Sequence, residues 1–344
     1  TRSELELEKH LWALTALHLR NLDKFARNSQ QSLEQLLPSF AQRKHTKILE
    51  IGGNVAELYQ LSAIYPTAEI HYLTLSPHAP RSSIVGRTAL AASAAEVLPP
   101  THNSRPAISL PDRITQHPTT PATLLYLPFA SHSLQHIRSS SLPALLPASQ
   151  LPALLKECHR VLAPGGLLEL RLVEPVPERG SAGPLMEAWI EEHVIIGLER
   201  RFRCLRPGML VPGWVRKAGF RILASSTTKG LDGQVRRRLR LPAAVPAESD
   251  GSGGSGSGSG SGGGGGGGRG GGGEDVDAQV AMLVGRALWW DVWGGFVEDE
   301  DDEGGAGRCG WWEDEEVVRE CEELGTAWEV GTLFAVKERV EGQI

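Results

Sequence analysis

An acid and a glycine pair closing a short apolar run can do chemistry that neither residue type does alone. Lys47-Ile48-Leu49-Glu50-Ile51-Gly52-Gly53-Asn54-Val55-Ala56 is such a run. Its apolar part predicts a strand at 47–51, and the stretch from Val55 predicts a helix at 55–64. Glycine in a strand-to-helix turn lets the backbone approach a ligand with no Cβ in the way. A carboxylate there can accept hydrogen bonds from a cationic amino group or from backbone amides. A tight turn holding no ligand would use the same residues. The next apolar run, Tyr72-Leu73-Thr74-Leu75-Ser76-Pro77, ends with a hydroxyl at Thr74 that can make one hydrogen bond but is no charged bidentate acceptor.

The elements needed to position these residues can be read along the chain. Residues 3–37 read as helix, ended by Pro38, and strands follow at 47–51 and 68–75. A helix is expected near 88–97, and a third strand at 113–117 or at 122–127. Ser133–Ser139 reads as the fourth strand, Leu151–Leu162 as a helix, Leu167–Val173 as the fifth strand and Pro184–Leu198 as a helix. A short helix over Pro212–Phe220, a strand at about 220–228, a helix over 276–297 and a last strand at Glu329–Glu338 complete the reading. Strands alternating with helices predict an α/β fold, a doubly wound, Rossmann-like, mostly parallel sheet.

Composition bounds the rest. The chain has 344 residues, a net charge of -6 and 40 glycines. Residues 251–273 contain only Gly, Ser and Arg269, which predicts a flexible coil spanning roughly 25 Å. The expected organisation is an N-terminal helical segment at 1–40, a core at 41–242, a linker at 243–275, and helices with the final strand at 276–344. The last strand returns across the linker, which makes the glycine tract an insertion. The charge gives no general attraction to nucleic acid or anionic lipid. No run reaches the roughly 18 apolar residues that span a bilayer. Cys158, Cys204, Cys309 and Cys321 form no CxxC pair, which suits reduced thiols and a cytoplasmic or nuclear location.

Glu157-Cys158-His159-Arg160-Val161-Leu162-Ala163-Pro164-Gly165-Gly166-Leu167-Leu168-Glu169-Leu170 is an amphipathic helix end, a Pro-Gly-Gly turn and an apolar run. With the Glu50 region before it, this segment resembles class I S-adenosylmethionine-dependent methyltransferases of the type 11/25 kind. The likeness covers roughly 45–230 and 328–338, and is nearest to fungal methyltransferase domain-containing proteins. It implies a seven-stranded sheet with an antiparallel last strand, S-adenosyl-L-methionine as cofactor, and methyl transfer to an acceptor for which a small molecule is one candidate. It also implies a cofactor site at Glu50, Ile51, Gly52, Gly53, Asn54 and Ala56, at Thr74 and Leu75, and at Leu127, Pro128 and Phe129. Arg138, Ser139 and Ser140 would face the substrate. Glu50 and Gly52 match the family pattern. Asn54 and Ala56 stand where it has glycines, Thr74 where an acid holds the ribose hydroxyls, and Gln135 where Asp is common. Methyl transfer needs an aligned nucleophile and exclusion of water, so no catalytic residue is named.

These replacements motivate a second reading, a catalytically inactive relative acting as an interaction or regulatory module. It would meet a protein partner through the Trp-rich and acidic C-terminal region. A nicotinamide-dependent dehydrogenase is disfavoured, because the loop lacks Gly-x-Gly-x-x-Gly and no acid ends the second strand. Trp289, Trp290, Trp293, Trp311, Trp312 and Trp328 read first as packing anchors. Glu298–Glu303 reads as a solvated loop, Arg236–Arg238 with Arg240 as a solvated strand end, and Glu187, Glu191, Glu192 and His193 as an exposed helix face or a substrate lid. His132 and His136 lack a third ligand for a metal.

Overall fold

The computed structural model describes residues 8, 11, 46–75, 110–223, 234–240, 285–297 and 310–338. The expected helices at 3–37 and 88–97, the glycine tract and Glu298–Glu303 fall wholly or almost wholly outside them.

Eight strands form one sheet. They are β1 (Lys47–Ile51), β2 (Glu69–Leu75), β3 (Ile114–Thr119), β4 (Leu134–Ser139), β5 (Leu162–Val173), β6 (Phe220–Ile222), β7 (Gln234–Arg240) and β8 (Ala327–Lys337). The order is β3-β2-β1-β4-β5-β8-β6, with β7 also on β8. The first five strands pair in parallel, and β8 enters antiparallel between β5 and the edge. β6 pairs with Lys337–Ala335 and β7 with Leu333–Ala327, so the two lie end to end along one side of β8. The sheet thus has the seven positions the resemblance implies, with its last position shared by two strands. The sequence predicts one strand at about 220–228 and reads Arg236–Arg238 with Arg240 as a solvated strand end. The arginine-rich run Gln-Val-Arg-Arg-Arg-Leu-Arg is the kind of charged sequence an edge strand carries.

Local chemistry accounts for the element at the site. Helix α1 (Val55–Ile64) starts at a capping box: Asn54 Oδ1 accepts from the Glu57 backbone N–H at 2.9 Å, and Glu57 Oε2 accepts from the Asn54 N–H at 3.1 Å. A four-residue turn, α2 (Leu142–Leu145), follows β4, and α3 (Leu151–Val161) buries Leu151, Leu154, Leu155, Cys158 and Val161. Sequence began the fifth strand at Leu167. The strand begins at Leu162, and Ala163–Gly166 form an irregularity between the pairs Leu134–Leu162 and His136–Leu167. The third strand takes the earlier of its two expected places, and Thr123–Leu125 is a 3-10 turn.

Beyond β5, α4 (Pro184–Ile190) runs through a π turn (Glu191–Ile195) into α5 (Ile196–Arg200). Glu187, Glu191 and Glu192 are exposed on it, and His193 is partly so. Helix α6 (Pro207–Lys217) begins earlier than Pro212, which lies inside it. The described part of the late helix, α7, is 285–293, and α8 spans Glu315–Leu324.

The apolar core has three parts. One face of the sheet buries Ile48, Ile70, Leu167 and Phe334 with Leu58 and Leu61 of α1. The other buries Leu49, Ile51, Ile137, Leu168 and Leu170 with α3 and α6. A third cluster joins Ala56 and Val173 at the carboxyl ends of β1 and β5 to Trp289, Trp293, Trp311 and Trp328. These four indoles are fully buried. They are core, as the packing reading expects, and are not open to a partner.

Candidate functional site

The strand order reverses between β1 and β4, and in an open α/β sheet ligands bind beyond the carboxyl ends of the strands at such a point. Gly52 leaves β1 there with φ +65, and a Cβ on it would stand 2.8 Å from Leu145 and from Ser141 Oγ. Ser141 Oγ donates to Gly52 O at 2.6 Å, and Tyr72 OH donates to Gly53 O at 2.6 Å. The turn is therefore clamped from β2 and from the end of β4.

Glu50 lies beneath this turn. It is fully buried, and a Cβ on Gly53 would meet its Oε1 at 2.6 Å. Neither carboxylate oxygen has a hydrogen-bond partner among the described residues. Arg138 Nε stands 3.7 Å from Oε2, an ion-pair distance without a hydrogen bond. Around it, Arg171 Nη1 donates to Glu57 Oε1 at 2.6 Å, Ser140 Oγ donates to Glu57 Oε2 at 2.7 Å, and Arg138 Nη2 donates to Gln60 Oε1 at 3.2 Å. Glu169 takes His136 Nε2 at 3.2 Å and Arg138 Nε at 3.8 Å.

This buried cluster has one more carboxylate than guanidiniums. Burial works against ionising Glu57, but Arg171, Arg138, Ser140 and the Asn54 amide outweigh it and hold its pKa below the usual value. Burial raises the pKa of Glu50 well above the usual carboxylate range. Arg138 opposes this, while Glu57 and Glu169 add to it. Glu50 is the acid left over.

The other expected residues divide. Asn54 and Ala56 stay with the turn, Asn54 through its cap and Ala56 in the tryptophan cluster. Thr74 is the penultimate residue of β2 and is partly exposed, and Leu75 ends the strand. Leu127, Pro128 and Phe129 are not brought to the turn. Leu127 N–H donates to Glu157 Oε2, and the Arg160 guanidinium donates to the carbonyls of Leu127 and Phe129. Glu157 and Arg160 end α3 just before β5 begins, so this triplet sits at the amino edge of the sheet. The expected substrate-facing groups are consumed inside the protein. Arg138 and Ser140 belong to the buried cluster, and Ser139 Oγ donates to Ile51 O at 2.7 Å.

Nothing in the residue pattern signals that α7 reaches this turn. Asp291 Oδ2 accepts from Asn54 Nδ2 at 2.6 Å. Trp293 Nε1 donates to Val173 O and Trp289 Nε1 to Pro175 O, both at 3.1 Å, at the carboxyl end of β5. The late helix is thus tied to the turn after β1 and to the chain that follows β5.

No protein-family model matches the chain, and no curated protein matches it. Solved structures similar to it include phosphoethanolamine N-methyltransferase 2 of Haemonchus contortus with phosphomonomethylethanolamine and S-adenosylhomocysteine, at 12% identity and TM-score 0.40 over 89% of this chain and 52% of that one. The SpnF cyclase is 16% identical at TM-score 0.42 over 90% and 84% of the two chains. The arsenic(III) S-adenosylmethionine methyltransferase of Chlamydomonas reinhardtii is 12% identical at TM-score 0.36 over 87% and 65%. The chain spans about half the length of the first of these. Likenesses of this size carry no assignment, and the fold rests on the strand order itself.

Proposed function

We propose that the protein is an S-adenosyl-L-methionine-dependent methyltransferase, with the cofactor held at the turn after β1. One observation carries this reading: the buried Glu50 carboxylate has no hydrogen-bond donor among the described residues, directly beneath a glycine turn at the switch point of the sheet. A cationic amino group is the partner that such an acid lacks, so the donor set fits the cofactor. When bound, S-adenosylmethionine supplies an electrophilic methyl group on a sulfonium. Glu50 would take the ammonium group, Gly52 and Gly53 would let the backbone come close, and Thr74 would offer one hydroxyl to the ribose. Leu127, Pro128 and Phe129 have no part in this site. Trp289 and Trp293 close the β5 side and exclude water, which serves transfer to an aligned nucleophile. The acceptor is read as a small molecule.

The test is thermal stability with and without S-adenosylhomocysteine for the natural protein and for Glu50→Gln. The natural protein gains stability from the ligand and the variant does not. Gly52→Arg is a poorer probe, because positive φ and the contacts with Leu145 and Ser141 oppose any side chain there.

A second reading, an inactive relative acting as an interaction module, is favoured by the engagement of Arg138, Ser139 and Ser140 in internal hydrogen bonds. A protein that gains no stability from either cofactor form supports it.

A further inference from the structure

The turn closing α5 brings two guanidiniums onto one phenyl ring. Arg201 ends the helix, with its N–H on Leu198 O at 3.2 Å and its Nη1 donating to Gly197 O at 3.3 Å. Phe202 then takes φ +53, uncommon for a bulky residue, and Arg203 returns its N–H to Leu198 O at 2.8 Å. Arg201 Cζ lies 5.3 Å and Arg203 Cζ 5.7 Å from the centroid of Phe296.

Two like charges on one ring repel, and their surroundings differ. Arg201 lies against a carbonyl at the C-terminus of α5, the negative end of a helix. Arg203 has no such compensation. Its Nε and Nη1 are buried without a hydrogen-bond partner among the described residues. Arg138, Arg160 and Arg171 each face a carboxylate. A buried guanidinium donor with no acceptor is costly, and guanidinium donors are suited to carboxylate and phosphate oxygens. Burial and the neighbouring Arg201 lower the pKa of Arg203 to about 10, so it remains cationic near neutral pH. Phe296 connects the pair to the end of β5. Its ring packs on Trp293 at 6.0 Å between centroids, and Trp293 caps the end of β5.

We propose that Arg203, with Arg201 beside it, is an oxyanion-binding site for a carboxylate or phosphate group on a small molecule. As the acceptor's anchor, this site rests on the methyltransferase reading. As a binding site, it stands apart from it. The anion has two conceivable sources, a free small molecule or this chain's own acidic run at Glu298–Glu303, shortly after Phe296. The proposal commits to the free molecule.

The experiment titrates inorganic phosphate into the full chain by calorimetry, without S-adenosylmethionine, so that this inference and the cofactor reading fail separately. The natural protein, Arg203→Met, Arg203→Lys and a chain with Glu298–Glu303 neutralised are compared. The expected result is phosphate binding to the natural protein, weakened about tenfold or more in Arg203→Met and by a smaller factor in Arg203→Lys. Arg203→Met also keeps or raises the melting temperature, since it removes buried donors that lack an acceptor; if it fails to fold, Arg203→Lys decides. Equal binding by the natural protein and the deciding variant overturns the site, as does no binding by the natural or the neutralised chain. Binding only after the acidic run is neutralised overturns the small-molecule source and assigns the site to the chain's own segment.

Discussion

Asn54 donates through Nδ2 to Asp291 Oδ2 at 2.6 Å, joining the turn after the first strand to a helix 237 residues later. The same helix places Trp289 and Trp293 on the carbonyls that end β5. Residues 285–297 and 310–338, beyond the glycine tract, therefore contribute to the core, and β8 lies between β5 and the edge strands. Fragments 1–250 and 274–344, expressed together, should co-purify as one complex with the circular dichroism of the intact chain. The first fragment alone should not fold cooperatively, because β5 would lose its antiparallel neighbour.

Two buried tryptophans offer a matched comparison. Trp293 Nε1 has an acceptor, Val173 O, whereas Trp311 Nε1 has none. Both indoles are fully buried, so replacement by Phe removes similar volume. Trp293→Phe should cost about 1–2 kcal/mol more than Trp311→Phe in denaturant unfolding, the difference being the lost hydrogen bond and the carbonyl left unpaired.

Glu50→Gln should separate stability from binding. It replaces a buried carboxylate lacking hydrogen bonds by a neutral group of the same shape. The free protein should gain about 1 kcal/mol near neutral pH, measured by thermal unfolding. The sign follows from the raised pKa: the folded state holds the Glu50 proton to a higher pH than the unfolded chain does, so ionising Glu50 lowers stability as pH rises through its folded pKa. Glu57 has the opposite sign. Its pKa is lowered, so the stability from its pair with Arg171 is present above the unfolded carboxylate pKa and is lost as pH falls through the folded one. Arg171→Met should cost about 3–5 kcal/mol at neutral pH, by leaving Glu57 buried without its strongest partner.

Much of this architecture is legible in the sequence. Lys47–Ile51 and Val55–Ile64 have the expected bounds, because an apolar run and an Asn-x-x-Glu capping box are local signals. The buried tryptophans follow from the size of the indole. The features that could not be read depend on tertiary placement. Leu127-Pro128-Phe129 has the right residues for the family motif, yet Glu157 and Arg160 fix it at the amino edge. Arg138 and Ser140 have the polarity of substrate contacts, but Glu50, Glu57 and Gln60 occupy them first. The missing hydrogen bonds of Glu50 and of Arg203 are invisible in a string of letters, since they depend on which polar atoms the fold buries away from donors and acceptors.

Binding of a cation to Glu50 should release its proton. Affinity for S-adenosylmethionine should therefore rise with pH until the free protein's Glu50 is ionised, and then level off. Calorimetry in two buffers of different ionisation enthalpy should show proton release, and Glu50→Gln should abolish both the slope and the release.

Calorimetric titration of the natural protein with S-adenosylmethionine and S-adenosylhomocysteine bears most directly on the cofactor reading. Binding with a Kd on the order of micromolar, absent in Glu50→Gln, is the predicted result. No heat and no thermal shift for the natural protein up to about millimolar ligand would contradict it.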